Sequence, residues 1–511
     1  MATVREPSHP RRQGSAAVTK TYQLSQEVLA TIDTVPTPDH DCRPKRCAIV
    51  HFGVGGFHRA HQAMYLDRLL AKDPTNAADW GICGVGVRPA DAAMRDALVP
   101  QDGLYTLTLK HPDGQVETSV LGAVVDYLFA PDDPERVIER LAAGETRIVS
   151  LTVTEGGYNF SPSTGEFDLT NPDIVADLSD DAVPRTVFGL VTEALRRRRD
   201  RGLESFTVMS CDNIAGNGHV ARATFLAYAR AKDPQLADWI TEHTRFPNSM
   251  VDRITPATPP ELRAEVFART GIDDRWPVVA EPFTQWVLED AFSMGRPALE
   301  TVGVQIVDDV TPYELMKLRL LNAGHQALCY FGYLMGYRYV HEATADPLIT
   351  ELLRRYMSQE GRPTLAPVPG VDLDSYTETL IARFGNPSIA DTIARLCQDS
   401  SDRIPKWLVP VIRDRLAAGG DVPLAAAVVA SWTRYAEAVD EHGDEIRVVD
   451  PLAAQLIRAA RRSRTEPLAF VSDRALFGDL AGEERFTKPY LAALESLRRD
   501  GARDTLAGLL A

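Results

Sequence analysis

The chain has 511 residues and a formal net charge of −16, with 71 Asp and Glu against 55 Lys and Arg. It exceeds the ~250–300 residues at which one hydrophobic core stops growing, so we expect at least two domains. The negative charge argues against a nucleic-acid partner, because nucleic-acid binding depends on clustered cations that neutralise phosphates. No apolar run reaches the ~18 residues needed to span a membrane, and the first twenty residues lack the apolar core of a secretory signal.

The six cysteines are scattered along the chain and show neither disulfide-like spacing nor the clustering of a zinc site. We therefore expect a protein of the reducing cytoplasm that binds no metal. Residues 1–40, with their prolines and charges, are predicted to form a loosely ordered head.

Short apolar runs alternate with helical stretches from about residue 47 onwards. The runs at 48–52, 82–87, 147–153 and 206–211 fit buried strands, and such alternation is typical of a parallel sheet built from βαβ units. Helical periodicity dominates later, over 312–337, 346–358, 372–383, 388–398, 407–417, 423–438 and 484–500. We therefore predict an α/β domain over residues 41–305, followed by a mainly α-helical domain over residues 306–511.

A glycine-rich turn, Gly53-Val54-Gly55-Gly56, follows the first predicted strand and leads into an amphipathic helix. Glycine suits this turn because a Cβ would hold the backbone away from a pyrophosphate bound at the helix start. His58 occupies the third glycine position of the dinucleotide-binding pattern, so the motif alone leaves a cofactor site and an ordinary tight turn both open. The strand–turn–helix order and the second strand behind it favour a Rossmann-like domain.

Asp91 follows the second strand, where an acidic residue is expected to bind the adenosine ribose hydroxyls and to repel a 2′-phosphate. The same residue also suits the N-cap of a helix that begins at Ala92. Arg88 complicates this interpretation, because an arginine here would accept a 2′-phosphate. We expect NAD rather than NADP as the cofactor.

A helix predicted from Thr311 carries the most informative polar side chains. Thr311 as N-cap, the proline after it and Glu314 as capping-box acid are typical of a helix start. At about 100° per residue, Glu314, Lys317 and His325 fall within about 80° of one another, and Asn322 lies about 60° beyond His325. Burial lowers the pKa of a lysine and makes it a plausible base. Periodicity alone slightly favours the alternative, an exposed Glu314–Lys317 ion pair and a core histidine.

Lys317, Asn322 and His325 form the pattern K-x4-N-x2-H, which resembles the signature of the polyol-specific long-chain dehydrogenases. Further blocks resemble the same family in the same order: GVGGFHRAHQAMY (53–65), LTVTEGGY (151–158), MSCDNIAGNGHV (209–220), FPNSMVDRITP (246–256), EPFTQWVLED (281–290), LAPVPGVDL (365–373) and VVDP (448–451). Several blocks at compatible spacing are more specific than any one of them. The chain is therefore identified as a member of this family, nearest to its mannitol-oxidising branch.

The resemblance implies a catalytic group around Lys317, which would deprotonate the alcohol as hydride leaves its carbon for the nicotinamide. It implies that Asn213 and Asn322 stabilise the developing alkoxide, the general logic of an oxyanion hole. His325 would hold a substrate hydroxyl near the lysine. Glu314 would pass protons to the base, although a role as helix cap also explains it.

The resemblance also implies ligands for the substrate and the cofactor. Asp252, Arg395 and Arg403 would bind the substrate, and Lys406 lies near enough in sequence to share that role. Arg403 stands where a lysine is typical, and Ser400 replaces a glycine in the same loop, so recognition at the far end of the substrate is expected to change. On the cofactor side, the resemblance implies a set that lines the dinucleotide: Gly53, Gly55, Gly56, Phe57, Thr154 and Glu155.

The activity that the resemblance implies is reversible oxidation of D-mannitol to D-fructose at C2, with NAD and without zinc, by a monomer. Two activities of the same family stay open: reduction of fructuronate, whose carboxylate Arg403 or Lys406 would bind, and oxidation of D-arabinitol at C4. A protein that binds NAD without catalysis is a remote alternative, because it would be expected to have lost Lys317 or its polar neighbours.

Overall fold

The computed structural model describes residues 20–39, 43–161, 165–179 and 182–511. Within these ranges the last strand ends at Val307, and nearly all regular structure beyond Thr311 is helical. The strands are β1 (Tyr22–Gln23), β2 (Ile49–Phe52), β3 (Ile82–Gly86), β4 (Tyr105–Lys110), β5 (Val116–Leu121), β6 (Val124–Phe129), β7 (Ile148–Leu151), β8 (Thr207–Ser210), β9 (Ser249–Asp252), β10 (Ile272–Asp273), β11 (Val278–Ala280), β12 (Gln285–Glu289) and β13 (Gln305–Val307).

The α-helices are α1 (Gly56–Ala60), α2 (Gln62–Lys72), α3 (Pro74–Ala77), α4 (Ala92–Leu98), α5 (Pro134–Ala142), α6 (Pro172–Asp177), α7 (Val187–Asp200), α8 (Asn217–Lys232), α9 (Pro234–His243), α10 (Leu262–Thr270), α11 (Thr311–Met316), α12 (Ala323–Leu334), α13 (Val340–Ala345), α14 (Pro347–Arg355), α15 (Leu373–Phe384), α16 (Ile393–Leu396), α17 (Ser400–Trp407), α18 (Val409–Ala417), α19 (Pro423–Tyr435), α20 (Ala453–Arg462), α21 (Arg474–Phe477), α22 (Glu484–Arg499) and α23 (Ala502–Leu510). Short 3₁₀ helices span Gln26–Thr31, Pro89–Asp91, Val99–Gln101, Glu155–Tyr158, Leu299–Val302, Arg362–Thr364 and Leu480–Gly482.

A five-stranded parallel sheet with the order β6-β3-β2-β7-β8 forms the centre of the first half. Every residue of β2, β3, β7 and β8 is buried, as expected for parallel strands covered on both faces. These strands are the four apolar runs of the sequence, and the helices follow in the second half. The prediction of a Rossmann-like parallel sheet followed by a mainly helical region is confirmed.

Part of the predicted head is packed rather than loosely ordered. Strand β1 pairs with β10, and Leu24 and Leu29 are buried in a small apolar cluster with Ile272. These side chains gain more by covering the sheet than by remaining in water, so residues 20–39 lie against the fold. Residues 1–19 lie outside the described residues, and the predicted domain boundaries stay predictions.

The predicted helical stretches are present, but one is shorter than expected. Of 388–398, only α16 is helical. The Thr392 hydroxyl accepts the N–H of Arg395 and so caps α16, while Ala390 has a positive φ of 50°. The helix therefore begins only at Ile393, and Asp391 lies in the loop before it.

The long helix that starts at Thr311 is interrupted by a π-helical turn. Residues Lys317–Asn322 form this turn between α11 and α12. A second π turn, Tyr356–Gly361, extends α14 and packs against the first. Single π turns inside α-helices are frequent at functional sites.

A buried charge network connects the two halves of the molecule. The Arg383 guanidinium, near the end of α15, donates to both carboxylate oxygens of Asp252 on β9, at 2.8 and 3.0 Å. It also donates to both oxygens of Glu281, at 2.8 and 3.0 Å, and lies 3.9 Å from the centre of the Phe283 ring. The three charged side chains are at most 5% exposed. Two almost fully buried carboxylates therefore share one guanidinium.

Among the described residues, no helix combines the length and apolar character that a membrane crossing requires. The five cysteines described, Cys47, Cys83, Cys211, Cys329 and Cys397, are buried free thiols. Cys42 lies outside the described residues.

We predict that Arg383→Gln lowers the free energy of unfolding by about 3–5 kcal/mol, because it leaves two buried carboxylates without their cation. Arg354→Gln is the matched control, since Arg354 makes a similar double contact with Glu378 on a surface where both side chains are about half exposed. That control is expected to lose only about 0–1 kcal/mol. Urea unfolding measures both values, and equally small losses would contradict the network's role.

Candidate active site

A cleft of about 510 Å³ lies where the two halves meet. Its walls come from the segments that follow β2, β7, β8 and β9, from the π turn and α12, and from the region of α16 and α17. Strands β3 and β7 lie on opposite sides of β2, so the strand order reverses at this point. Ligands of open α/β sheets bind outside the carboxyl ends of the strands at such a reversal.

The glycine turn after β2 forms one wall of the cleft. Gly53 has a φ of 90°, and a Cβ there would lie 2.1 Å from the Thr152 carbonyl oxygen, so only glycine fits. A Cβ on Gly55 would have no neighbour closer than 3.7 Å, and one on Gly56 would make ordinary contacts at 3.6 Å. Packing within the protein therefore does not require glycine at these two positions. The open space is a cradle that suits close approach of a dinucleotide, and Phe57 lines it too.

The predicted single helix after this turn is divided into α1 and α2. The chain bends at His61, whose φ of −124° and ψ of −89° are not helical. His58, at the third glycine position, is buried and stacks on His51 with ring centres 3.5 Å apart. Side-chain packing thus replaces the close helix–strand contact that a third glycine allows.

Thr154 and Glu155 line the cleft on a strained loop after β7. Thr154 has a φ of 66° and a ψ of 169°, a region that non-glycine residues seldom adopt. The Asp212 carboxylate holds this loop by accepting the N–H groups of Val153 and Thr154 at 3.1 and 2.8 Å and the hydroxyl of Tyr158 at 2.8 Å. Burial raises the pKa of Asp212 to about 6. Sequence reasoning missed Asp212, although it precedes Asn213 directly in the CDN triplet.

Asp91 lies beyond the end of β3 and is not part of the cleft lining. One carboxylate oxygen accepts the N–H groups of Val87 and Arg88, each at 3.0 Å, and the other accepts from the Arg88 guanidinium at 3.3 Å. Its side chain does not cap α4, contrary to the alternative raised from sequence. The carboxylate turns back to the strand end instead, because two free N–H groups are available there.

Lys317 is buried in the cleft, with only 7% of its surface exposed. Its Nζ donates to the Asn213 side-chain oxygen at 2.5 Å and to the Val251 carbonyl at 2.6 Å. Burial lowers the pKa of Lys317, and the Asp252 carboxylate partly offsets this effect. A neutral amine has two hydrogens and one lone pair. The two acceptors match the two hydrogens and leave the lone pair available.

Asn322 and His325 line the same cleft, and each has a buried nitrogen without a hydrogen-bond partner, Nδ2 of Asn322 and Nε2 of His325. The His325 ring lies 4.3 Å from the Phe384 ring, and burial lowers its pKa to about 3, so it is neutral near pH 7. Buried polar atoms are nearly always paired in native proteins. Two unpaired nitrogens beside Lys317 therefore indicate a place for a polar ligand.

The π turn changes the relation between Lys317 and Asn322. An α-helical period places these two residues far apart around the helix axis, because they are five residues apart. In a π turn the hydrogen bond joins residues five positions apart, so Asn322 lies one turn after Lys317 on nearly the same face of the helix. The angles predicted from sequence were wrong here, because they assumed an uninterrupted α-helix.

Glu314 neither caps its helix nor lines the cleft. The helix begins at Thr311 with Val310 as its N-cap, and the Thr311 N–H donates to Asp309 at 2.9 Å. The Glu314 carboxylate instead accepts the N–H of Gly216 at 2.8 Å, and burial raises its pKa. The predicted capping box is therefore wrong, because a backbone N–H from the sheet half takes the carboxylate.

Asp252 lies at the end of β9 and lines the cleft close to Lys317. Although burial opposes its ionisation, the bidentate contact with Arg383 lowers the pKa of Asp252. Arg383 was not identified from the sequence, since nothing in the pattern of α15 shows that one arginine turns inward.

Arg395 and Arg403 lie in the cleft lining, as predicted, and both guanidinium groups already make hydrogen bonds within the protein. Arg395 makes a two-point ion pair with Asp391 at 2.6 and 2.5 Å. Arg403 donates to the carbonyl oxygens of Arg395 and Leu396 at 3.1 and 3.2 Å, and its guanidinium lies 5.6 Å from the Trp407 ring. Asp391 therefore neutralises Arg395, whereas the two carbonyl groups occupy Arg403 without cancelling its charge.

Lys406 lies outside the cleft, contrary to the prediction. Its Nζ binds Asp402 at 2.6 Å, and its side chain is 58% exposed. Residues 402 and 406 are one helical turn apart on α17, as are Arg403 and Trp407 on the neighbouring face that lines the cleft. The helical period therefore places Arg403 on the face of α17 that lines the cleft and Lys406 on the face exposed to solvent.

Within the described ranges, no group of three or more His, Cys, Asp or Glu side chains is arranged to hold a metal ion.

Comparison with known proteins assigns the chain to a family. Residues 47–301 match the Rossmann domain of mannitol dehydrogenase, and residues 309–498 match its C-terminal domain. The mannitol 2-dehydrogenase of Phaeosphaeria nodorum is 46% identical over 95% of this chain and 85% of that protein.

Two solved structures have a similar fold. The Pseudomonas fluorescens mannitol 2-dehydrogenase, in a ternary complex with NAD and D-mannitol, is 45% identical with a TM-score of 0.85, over 96% of this chain and 99% of that one. A substrate-free D-sorbitol dehydrogenase is 40% identical with a TM-score of 0.87, over 94% of this chain and 100% of that one. The chain belongs to the mannitol dehydrogenase family.

Proposed function

We propose that this protein is an NAD-dependent polyol dehydrogenase that interconverts D-mannitol and D-fructose, with Lys317 as the general base. The observation that carries the proposal is the placement of the Lys317 amine. It is buried, its two hydrogen-bond acceptors are fixed, and two unpaired nitrogens lie beside it. The mannitol 2-dehydrogenases among its relatives support the choice of substrate.

The glycine turn and the strained loop after β7 are the proposed cofactor site. Gly53, Gly55, Gly56 and Phe57 would hold the dinucleotide, and Thr154 and Glu155 would line the nicotinamide ribose. Asp91 would bind the adenosine ribose beyond β3, and its ion pair with Arg88 leaves that arginine less available to a 2′-phosphate. When bound, NAD would supply the acceptor for the hydride that leaves C2.

Lys317 accepts the proton of the C2 hydroxyl in this proposal. Asn213 already directs its oxygen to Nζ, which leaves its N–H groups for the substrate oxygen. The unpaired N–H groups of Asn322 would donate to the same oxygen from the π turn. Donors fixed before the reaction stabilise a developing alkoxide without reorganisation. Neutral His325 would bind a neighbouring hydroxyl through Nε2.

Glu314 is assigned the exchange of the abstracted proton in the same proposal. It lies about one helical turn before Lys317, and burial raises the pKa of its carboxyl. A carboxyl with a raised pKa takes up and releases protons closer to neutral pH than an exposed one does. The base itself requires no metal for this chemistry.

The existing hydrogen bonds of Arg395 and Arg403 favour a neutral polyol over a hexuronate. Asp252 would accept hydrogen bonds from hydroxyl groups along the chain of the substrate. Arg395 is already paired with Asp391, and Arg403 is bound to two carbonyl groups. A substrate carboxylate would have to displace Asp391 to gain a bidentate partner. The far end of the cleft therefore suits hydroxyl groups that share these donors.

We predict that Lys317→Ala lowers kcat for mannitol oxidation near neutral pH by at least about 100-fold, because general bases contribute on the order of 10²–10⁴. The Kd for NAD is expected to stay nearly unchanged, since the glycine turn is intact. Turnover is followed by nicotinamide absorbance, and NAD binding by calorimetry.

The control variant is Lys406→Ala, which removes an exposed lysine outside the cleft and is expected to keep full activity. Each assay is repeated with a metal chelator, which is expected to change nothing. Full turnover by Lys317→Ala would refute the base assignment, and loss of activity with the chelator would refute chemistry without a metal.

We predict that mannitol and fructose are better substrates than arabinitol, sorbitol and fructuronate, judged by kcat/KM. For fructuronate, the reason is that Arg395 is already paired with Asp391 and Arg403 already donates to two carbonyl groups, so neither offers a carboxylate a ready bidentate partner. Efficient reduction of fructuronate without turnover of mannitol would overturn this choice. A preference for sorbitol would keep the lysine chemistry and change only the substrate, in line with the similar fold of D-sorbitol dehydrogenase.

A further inference from the structure

The π turn places the proposed base and Asn322 together, yet it lacks a hydrogen bond that an α-helix would have. In an α-helix the N–H of Ala323 would donate to the carbonyl of Arg319, four residues earlier. Here that N–H turns to the carbonyls of Leu318 and Leu320 instead. The Arg319 carbonyl has therefore lost its α-helical donor, at a position that is buried.

A tyrosine from the second π turn supplies the missing donor. The hydroxyl of Tyr356 donates to the Arg319 carbonyl at 3.0 Å, and Tyr356 has no exposed surface. A buried carbonyl that loses its partner costs about 1–3 kcal/mol in general. The contact thus stabilises the π-helical arrangement specifically, since an α-helical arrangement would satisfy the same carbonyl from within the helix.

The second π turn also fits closely against the first. A Cβ on Gly361 would lie 2.9 Å from Leu320 Cδ2 and 3.3 Å from the Arg319 carbonyl oxygen. The Arg319 side chain leaves this contact and binds the Thr364 carbonyl at 2.7 Å and Asp414 at 2.7 Å. Groups from outside the helix therefore hold residue 319 on both its backbone and its side chain.

We propose that Tyr356 is a positioning residue for the reaction: its hydroxyl holds the π turn that brings Lys317 and Asn322 onto one face of the helix. The inference rests on the proposed role of Lys317. Without the hydroxyl, the turn gains access to an α-helical hydrogen-bond pattern in which the Asn322 amide rotates away from the lysine. Tyr356 itself does not line the cleft, so it acts only through the helix.

The test compares Tyr356→Phe with Tyr490→Phe. Tyr490 is equally buried in the helical half, and its hydroxyl lies 3.1 Å from Thr433 Oγ1, away from the π turn. Tyr356→Phe is expected to lower kcat for mannitol oxidation on the order of tenfold, because small displacements of catalytic groups have large kinetic effects. The Kd for NAD is expected to stay within about twofold, since neither Tyr356 nor the π turn is part of the glycine turn proposed to hold the cofactor. Tyr490→Phe is expected to keep the wild-type kcat.

A second variant approaches the π turn from its other side. Gly361→Ala places a methyl group against Leu320 and is also expected to lower kcat with NAD binding retained. Thermal unfolding of all three variants measures their stability. A loss of kcat that does not scale with the loss of stability is then attributed to the π turn. Wild-type kcat in Tyr356→Phe, or an equal loss in Tyr490→Phe, would overturn the inference.

Lys317→Ala separates this inference from the proposed function. If that variant keeps full turnover, the base assignment has failed, whatever Tyr356→Phe shows. If Lys317→Ala is inactive while Tyr356→Phe is unchanged, the base stands and the role of Tyr356 is refuted.

Discussion

The burial of one amine is the constraint on which the rest of the site depends. Lys317 is only 7% exposed, and its Nζ is fixed by one side-chain oxygen and one backbone carbonyl. Desolvation disfavours the charged form of a lysine and so favours the neutral amine that a base requires. The two halves of the molecule are both needed for this, because Lys317 comes from the helical half and its two acceptors come from the sheet half.

The surrounding charges are arranged so that this burial is possible. Arg383 compensates Asp252 and Glu281 next to the lysine, and Asp391 compensates Arg395 at the far end of the cleft. In both arrangements a guanidinium is paired with carboxylate groups, and many hydrogen-bonding groups remain at the walls of the cleft. These groups support the proposed substrate, a polyol whose hydroxyl groups share the donors and acceptors of the cleft. The proposed substrate and the proposed base thus depend on the same pairing of buried charges.

The sequence was sufficient to predict the fold and the polar side chains at the centre of the cleft. Apolar runs located β2, β3, β7 and β8, and the family resemblance located Lys317, Asn213, Asn322 and His325, which the cleft brings together. Helical periodicity also explains why Lys406 is exposed: it lies on α17 one turn from Asp402, on the face of the helix that contacts solvent.

Other features depend on contacts between residues far apart in the chain, which local patterns do not show. Arg383 reaches Asp252 across 131 positions, and Glu314 leaves its expected capping box for Gly216, 98 positions away. A fixed helical period does not predict the π turn, although the five-residue spacing of Lys317 and Asn322 in the motif agrees with such a turn. Asp212 went unnoticed because its role is to hold a loop rather than to contact a ligand.

The pH dependence of kcat/KM for mannitol oxidation is the most direct test of Lys317 as the general base, because it reports the ionisation of the base in the free enzyme. A base must be neutral to accept the proton, so the rate constant is expected to rise with pH and then level off. We predict that this occurs at an apparent pKa below 10.5, the ordinary value for lysine, because burial lowers the pKa of Lys317. A rise that follows the ordinary lysine value, or no rise at all, would contradict it.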